Sequence, residues 1–205
     1  MRRQLLPALR IFLVLTVALG LLYPLSIFVI GRAFSSKADG SLVRAADGTV
    51  IGSSLIGQEF SGETYFSSRP SAAGILASGS LDDQGQAADP TDATLQNSGA
   101  SNLGPTNPVL IDGVAQKVIA YRVANGLADD TPVPIDAVTS SASGVDPHIS
   151  VANARLQAKR VARVRGIAES TVLSLIDRYT DGAVLGVFGV PGVNVLELNL
   201  ALDRS

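Results

Sequence analysis

The chain has no cysteine, no tryptophan, one methionine and one histidine, and aromatics make up only 5% of its 205 residues. Without cysteine there are no disulfides, no thiolate zinc sites and no thiol nucleophile. His148 stands alone in "DPHIS", so no second imidazole can join it at a metal. A phosphate-cradling GxxxxGK[ST] loop is missing, and "GVFGVPG" has the glycines of such a loop but not the lysine. Charge is sparse at 17%, and it is unevenly spread.

What the chain has in excess is apolar length at one end. Residues 11–30, "IFLVLTVALGLLYPLSIFVI", run for twenty positions without a charge. At about 1.5 Å per residue a helix of this length crosses a hydrocarbon core of about 30 Å. Gly20 and Pro24 fall inside it, and both are tolerated in membrane helices. The rival is a cleaved signal peptide, whose apolar region spans about 7–15 residues before a small-residue cleavage site. The run here is longer, and Arg32 and Lys37 follow it closely. The reading is therefore a cytoplasmic N-terminus over 1–10, a transmembrane anchor over 11–31 and an extracytoplasmic domain over 32–205. Arg2, Arg3 and Arg10 precede the span, which favours an inside N-terminus. Twelve of the sixteen basic side chains and all eighteen acidic ones lie in 33–205. That acidic balance argues against nucleic acid as a partner.

Beyond the anchor the pattern predicts an α+β domain with one small sheet and about three helices. Asp47-Gly48 between "SLVRA" and "TVIGSSLIG" signals a hairpin. Residues 74–103 are rich in Gly, Ala, Ser, Asp, Asn and Gln and read as a long polar surface loop. Asn107-Pro108 opens a helix that Gly126 closes, with Ile111, Val114, Ala115, Val118 and Tyr121 on its inner face. "VPIDAVTSS" reads as a short strand. Ser150 caps a helix ending at Gly166, and "IAESTVLSLIDRYT" makes another with Val172, Leu173, Ile176 and Tyr179 inward. At the end, "VNVLELNLALD" alternates, with Leu196, Leu198, Leu200 and Leu202 on one strand face. A final short helix is the competing reading, because Leu, Glu and Ala favour helices.

Three features carry candidate chemistry. Asp146 and His148 could form a general-base or metal pair, or a helix-entry turn. The helix over 151–165 holds Arg155, Lys159, Arg160, Arg163 and Arg165. Arg155, Lys159 and Arg163 share one face at four-residue spacing. That face is either solvated or a dock for an acidic partner, a lipid headgroup or a phosphate. In "YFSSRPSAA", Tyr65 and Phe66 plug a core while Arg69, beside Pro70, braces the turn or faces a partner.

Taken in order, "LIGQ", "YFSSRPSAA", "SGASNLGPTNP", "SASGVDPHIS", "KRVARVRGI" and "VNVLELNLALD" resemble one family, the C chain of the potassium-transporting Kdp ATPase. The resemblance covers essentially the whole chain; residues 75–98 fit least. It implies a non-catalytic, single-span accessory subunit of a high-affinity potassium uptake complex in the cell membrane. Its partners would be a potassium-channel-like A chain, a P-type ATPase B chain and a small single-span F chain, with lipid around the anchor. The phosphorylation motif DKTG of P-type ATPases is absent here, in keeping with that role. ATP and potassium belong to the complex, with no cofactor bound by this chain itself. The resemblance also implies a catalytic chaperone that raises the ATP affinity of the B chain, with Gln58 of "LIGQ" as the candidate ATP contact. Asn194 and Asn199 of "VNVLELNLALD" join Tyr65, Phe66, Arg69, Pro70, Asp146, His148, Arg155, Lys159 and Arg163 as interaction or structural positions. Two other classes stay open: a membrane-anchored extracytoplasmic enzyme using Asp146 and His148, and an anion-binding module using the basic helix.

Overall fold

The structure, a computed structural model, describes residues 2–45, 47–60, 62–72, 98–183 and 185–204. The chain divides into two units, residues 1–53 and 54–205.

The first unit is dominated by one long helix. α1 (Arg2–Val17) runs through a π-helical turn (Ala18–Leu22) into α2 (Tyr23–Arg32). The π turn has a local cause. Pro24 lacks an N–H and its ring would crowd the carbonyl four residues back, so the helix widens just ahead of it. Tyr23 N–H reaches back to Ala18 O across the wider turn. Ser26 Oγ donates to Leu22 O at 2.7 Å, satisfying a carbonyl in the affected turn. The apolar side chains of this helix are exposed all round, as a bilayer-facing span requires. A short α3 (Ser35–Ala38) follows, then β1 (Leu42–Arg44) and β2 (Val50–Ser53) pair antiparallel across the Asp47-Gly48 turn. Gly48 has φ +86°, a conformation that costs little only without a side chain.

The second unit is α+β. α4 (Pro108–Asn125), α5 (Val151–Arg165), α6 (Glu169–Arg178) and α7 (Val195–Leu202) surround a three-stranded antiparallel sheet in the order β3 (His148–Ser150), β5 (Gly192–Asn194), β4 (Thr180–Asp181). The predicted caps hold their helices. Asn107 Oδ1 accepts from Val109 N–H, and Ser150 Oγ accepts from Asn153 N–H. Gly126 and Gly166 close α4 and α5 in the left-handed conformation. The core gathers on α5: Ala154, Ala158 and Val161 pack with Val172 and Ile176 of α6, with Ile149 and Val193 of the sheet, and with Val195, Leu198 and Leu202 of α7. Alanines at 154 and 158 let α6 approach the helix closely. Each fully buried Val, Ile or Leu contributes roughly 1.5–3 kcal/mol.

Four expectations are corrected. The C-terminal stretch is not a strand beyond residue 194. Val195–Leu202 is helical, because Asn194 Oδ1 accepts from Glu197 N–H and starts a turn, and Val195, Leu198 and Leu202 then share the inner face at helical spacing. "VPIDAVTSS" is not a strand either; Ile135–Ala137 is a 3₁₀ turn entered through Pro134. On α4, Ile111 and Ala115 are exposed, while Tyr121 and Asn125 turn inward. Among the described residues the small sheets number two rather than one. The loop expected over 74–103 falls on residues outside those described as far as 97; 98–103 have no regular structure.

Candidate functional site around Arg69

The described residues of 54–72 lie in no helix or strand, yet Phe66 is completely buried among the core residues. An irregular backbone inside a domain must find partners for its N–H and C=O groups. Here side chains supply them. Asn199 Oδ1 accepts from Phe66 N–H at 2.8 Å and Asn199 Nδ2 donates to Phe66 O at 3.0 Å. Gln157 Oε1 accepts from Ser67 N–H at 2.8 Å, and its Nε2 donates to Ser67 O at 3.2 Å. Both carboxamides thus imitate the paired bonds of a neighbouring strand. Asn194 Nδ2 donates to Ser54 O at 2.8 Å, so Asn194 and Asn199 of one motif hold two points of the segment. Arg160 donates to Glu63 O, and Arg165 Nε donates to Thr64 O. The Arg165 guanidinium lies over the Tyr65 ring, 4.9 Å from its centroid, and Tyr65 OH donates to Asp203.

The same segment then lines a pocket of about 330 Å³. Gly57, Gln58 and Glu59 form one wall, Ser68, Arg69 and Pro70 another, and Gly144 and Asp146 a third. Gly57 is needed at that spot: a Cβ there would lie 2.5 Å from Asp146 O. Arg69 spans the pocket's edge. Its NH1 donates to Asp146 Oδ2 at 3.0 Å and its NH2 to Ser140 O at 3.3 Å. Its buried Nε has no partner among the described residues. Ser68 Oγ donates to Gln58 O, and Ser71 Oγ donates to Gly144 O at 2.6 Å. Among the described residues, the fixed charges at the pocket are two carboxylates, Glu59 and Asp146, and one guanidinium, Arg69.

Asp146 also sets up its neighbour. Its Oδ1 accepts from His148 N–H at 3.0 Å. His148 Nε2 lies 3.0 Å from Asp181 Oδ2, while its Nδ1 is 3.8 Å from Asp146. His148 therefore sits in a strand rather than a helix-entry turn, and it fastens β3 to the end of β4.

A polar chain runs behind the segment. Asp136 accepts from Ser150 N–H, Ser150 Oγ and Asn153 Nδ2. Asn153 Oδ1 accepts from Tyr121 OH and Gln157 Nε2, and Gln157 Oε1 accepts from Arg160 NH2. Arg160 Nε donates to Asn125 Oδ1 at 2.9 Å. Burial pushes the Asp136 carboxyl up, but the hydrogen bonds from Ser150 and Asn153 outweigh it and leave its pKa lowered. Burial, with Asp136 nearby, raises the Tyr121 hydroxyl. Desolvation lowers the Arg160 guanidinium's pKa.

The basic helix thus splits. Arg160 and Arg165 point inward and clamp residues 63–64, a role that charge counting misses. Arg155, Lys159 and Arg163 are exposed, and Arg155 pairs with Asp177 at 3.2 Å. Gln58, Arg69, Pro70 and Asp146 meet at one pocket; Tyr65, Phe66 and Asn199 meet on the core side of the same segment. Arg155, Lys159 and Arg163 join neither group. Asn153 and Gln157 are not marked by the sequence, and Arg160 is marked only as one cation of the basic helix. Their only sequence signal is a run of polar residues at three- and four-residue spacing, which an exposed helix face shows equally.

The sequence was compared with known families and proteins. The family described as K+-transporting ATPase, c chain (KdpC) matches residues 5–204. The potassium-transporting ATPase KdpC subunit of Mycobacterium tuberculosis (strain H37Rv) is 51% identical over 205 residues, covering all of both chains. That of Kineococcus radiotolerans is 48% identical over 203 residues, 99% of this chain and 94% of its own. That of Koribacter versatilis is 46% identical over 207 residues, all of this chain and 96% of its own. The chain belongs to the family of K+-transporting ATPase c chains, the KdpC subunits.

Proposed function

We propose that this chain is a non-catalytic assembly subunit of the potassium-transporting ATPase. Its long helix anchors it in the cell membrane with the N-terminus inside. Its second unit lies outside and joins the channel-like chain, the P-type ATPase chain and the small single-span chain into one complex. ATP and potassium act at the level of that complex, and this chain holds no cofactor of its own. The observation that carries the reading is how the distinctive motif residues are used. Asn194, Asn199, Gln157, Arg160 and Arg165 each give at least one hydrogen bond to backbone atoms of residues 54–67, and Arg69 pairs with Asp146. These residues build a rigid presenting surface rather than a reacting centre.

The same geometry supports an indirect effect on ATP. Gln58 lines a pocket that also holds Glu59, Asp146 and Arg69; Asp146 takes up the Arg69 charge, so a polyphosphate entering it would meet a net negative lining among the described residues. A rise in the ATP affinity of the catalytic chain is then transmitted through the assembly, as coupling between sites. The enzyme reading loses ground because Asp146 is already held by Arg69 and His148 by Asp181.

Deleting residues 54–205 while keeping the anchor should abolish co-purification of the potassium-transporting and ATP-hydrolysing chains. A stable complex without that unit would refute the proposal. His148→Gln should leave the ATPase activity of the complex within about twofold, whereas an essential base would cost 10²–10⁴-fold. For sidedness, Ser170→Cys supplies the chain's only thiol; an impermeant reagent should label it on intact cells, and labelling only after lysis would place the unit inside.

A further inference from the structure

The turn between β4 and β5, residues 182–191, reads "GAVLGVFGVP": ten consecutive positions without one polar side chain. Its described large residues point outward. Leu185 is 86% exposed, Val187 74%, Phe188 66% and Val190 87%. The backbone is set to do this. Leu185, Gly186 and Gly189 have φ of +54°, +75° and +91°, and Gly186 N–H closes a turn onto Ala183 O. A left-handed leucine is strained, and among the described residues Leu185 is not part of the core cluster. The root of the loop is fixed, because Asp181 pairs with Gly192 in the sheet and its carboxylate is 3.0 Å from His148. Elsewhere on the second unit, the exposed apolar residues of α4 are interrupted by Asp112, Gln116 and Lys117. Among the described residues of the second unit, only this loop gathers several of them with no polar side chain between.

We infer that this hairpin tip is a plug that seats in an apolar, uncharged cleft on another subunit of the same ATPase. The inference rests on the assembly role proposed above. Charge chooses the protein cleft over the bilayer. Loops that enter lipid carry Lys, Arg, Trp or Tyr at the headgroup level. This one has none of the four between Thr180 and Asn194, and an aspartate stands at its root. Residues 33–205 carry twelve basic and eighteen acidic side chains, and such a domain is repelled by anionic lipid. The centre of a protein interface, by contrast, is depleted of charge and enriched in aromatic and apolar side chains.

The test uses the full-length chain, in which Val187→Cys supplies the only thiol for an environment-sensitive fluorophore. The labelled chain is placed in nanodiscs alone and within the purified complex. Emission typical of water in the chain alone, shifting to the blue in the complex and indifferent to spin-labelled lipid, is the expected result. Quenching by spin-labelled lipid in the chain alone would overturn the inference in favour of the bilayer. A blue shift that appears in the chain alone with rising concentration would overturn it in favour of self-association. A complex that assembles with the probe still in water would overturn the plug while leaving the assembly role intact. If the unlabelled chain fails to co-purify, it is the assembly role that falls. Val187→Ser with Phe188→Ser should reduce the yield of assembled complex at limiting partner by about tenfold or more, from the apolar area left unburied. The thermal transition of the variant chain alone should not move; a lost transition would mean that the loop packs on its own domain, against the inference.

Discussion

Two irregular stretches of the second unit invert the usual expectation for loops. Residues 54–72 contain serines, glutamates, a glutamine and an arginine, yet their centre is in the core. Residues 182–191 are wholly apolar in side chain, yet their described large residues are exposed. The difference lies in what meets the backbone. The first stretch passes two carboxamides that reproduce strand pairing at Phe66 and Ser67, so its peptide groups can leave water. In this domain, burial of a loop is decided by partners for its peptide groups as much as by side-chain hydropathy.

The largest effect should come from removing one of those partners. Asn199→Leu leaves the N–H and C=O of Phe66 buried and unpaired, each costing about 1–3 kcal/mol. The chain should therefore lose roughly 2–5 kcal/mol in denaturant unfolding. An unchanged midpoint would mean that Phe66 holds the segment by itself. Next in size is Arg69→Ala, which breaks a part-exposed pair with Asp146 and a bond to Ser140 O. About 1–2 kcal/mol is expected, by thermal unfolding, since hydrogen bonds to charged groups exceed neutral ones. Arg69→Lys should recover less than half of the loss, because an ammonium cannot hold both acceptors in one plane.

A third test reads the polar chain behind the segment through pH. The folded Asp136 carboxyl has a lowered pKa, so it binds its proton less readily folded than unfolded. Its contribution is present above the ordinary carboxylate value of about 3.9, and it is lost as pH falls through the folded value. Wild type should lose stability in acid below about pH 4, and Asp136→Asn should show a shallower acid slope. An identical slope in the variant would remove Asp136 from the acid response.

Much of the frame was legible from local signals. Asn107-Pro108 with Gly126, Ser150 with Gly166, and Asp47-Gly48 each act within a few residues, and each marks the element it indicated. The C-terminal error is instructive. The alternating leucines fit a strand as well as a helix, and the deciding signal was Asn194 followed by Glu197, an N-cap pattern hidden inside the alternation. "VPIDAVTSS" misled because its Asp136 serves as an acceptor for Ser150 and Asn153 instead of lying in a ladder. The candidate site was less legible. Arg69 meets Asp146 across 77 residues, and Asn199 meets Phe66 across 133. No spacing rule reaches that far, so a single sequence could mark the residues without pairing them.

The smallest effect on folding is expected at the exposed loop, where the contrast can be broken most cleanly. Val187→Ser and Phe188→Ser remove apolar surface that the folded chain leaves in water, so burial is scarcely changed. Substitutions at such positions stay within about 0.5 kcal/mol. The full-length pair of variants should therefore unfold thermally with wild type, well apart from Asn199→Leu. If instead the loop variants fell as far as Asn199→Leu, residues 182–191 would have to be packed on the domain in solution. The two stretches would then obey one rule, with hydropathy deciding burial in both. If they hold, an apolar loop is being kept in water with a strained left-handed backbone at Leu185, a cost that the core of the described residues does not offset.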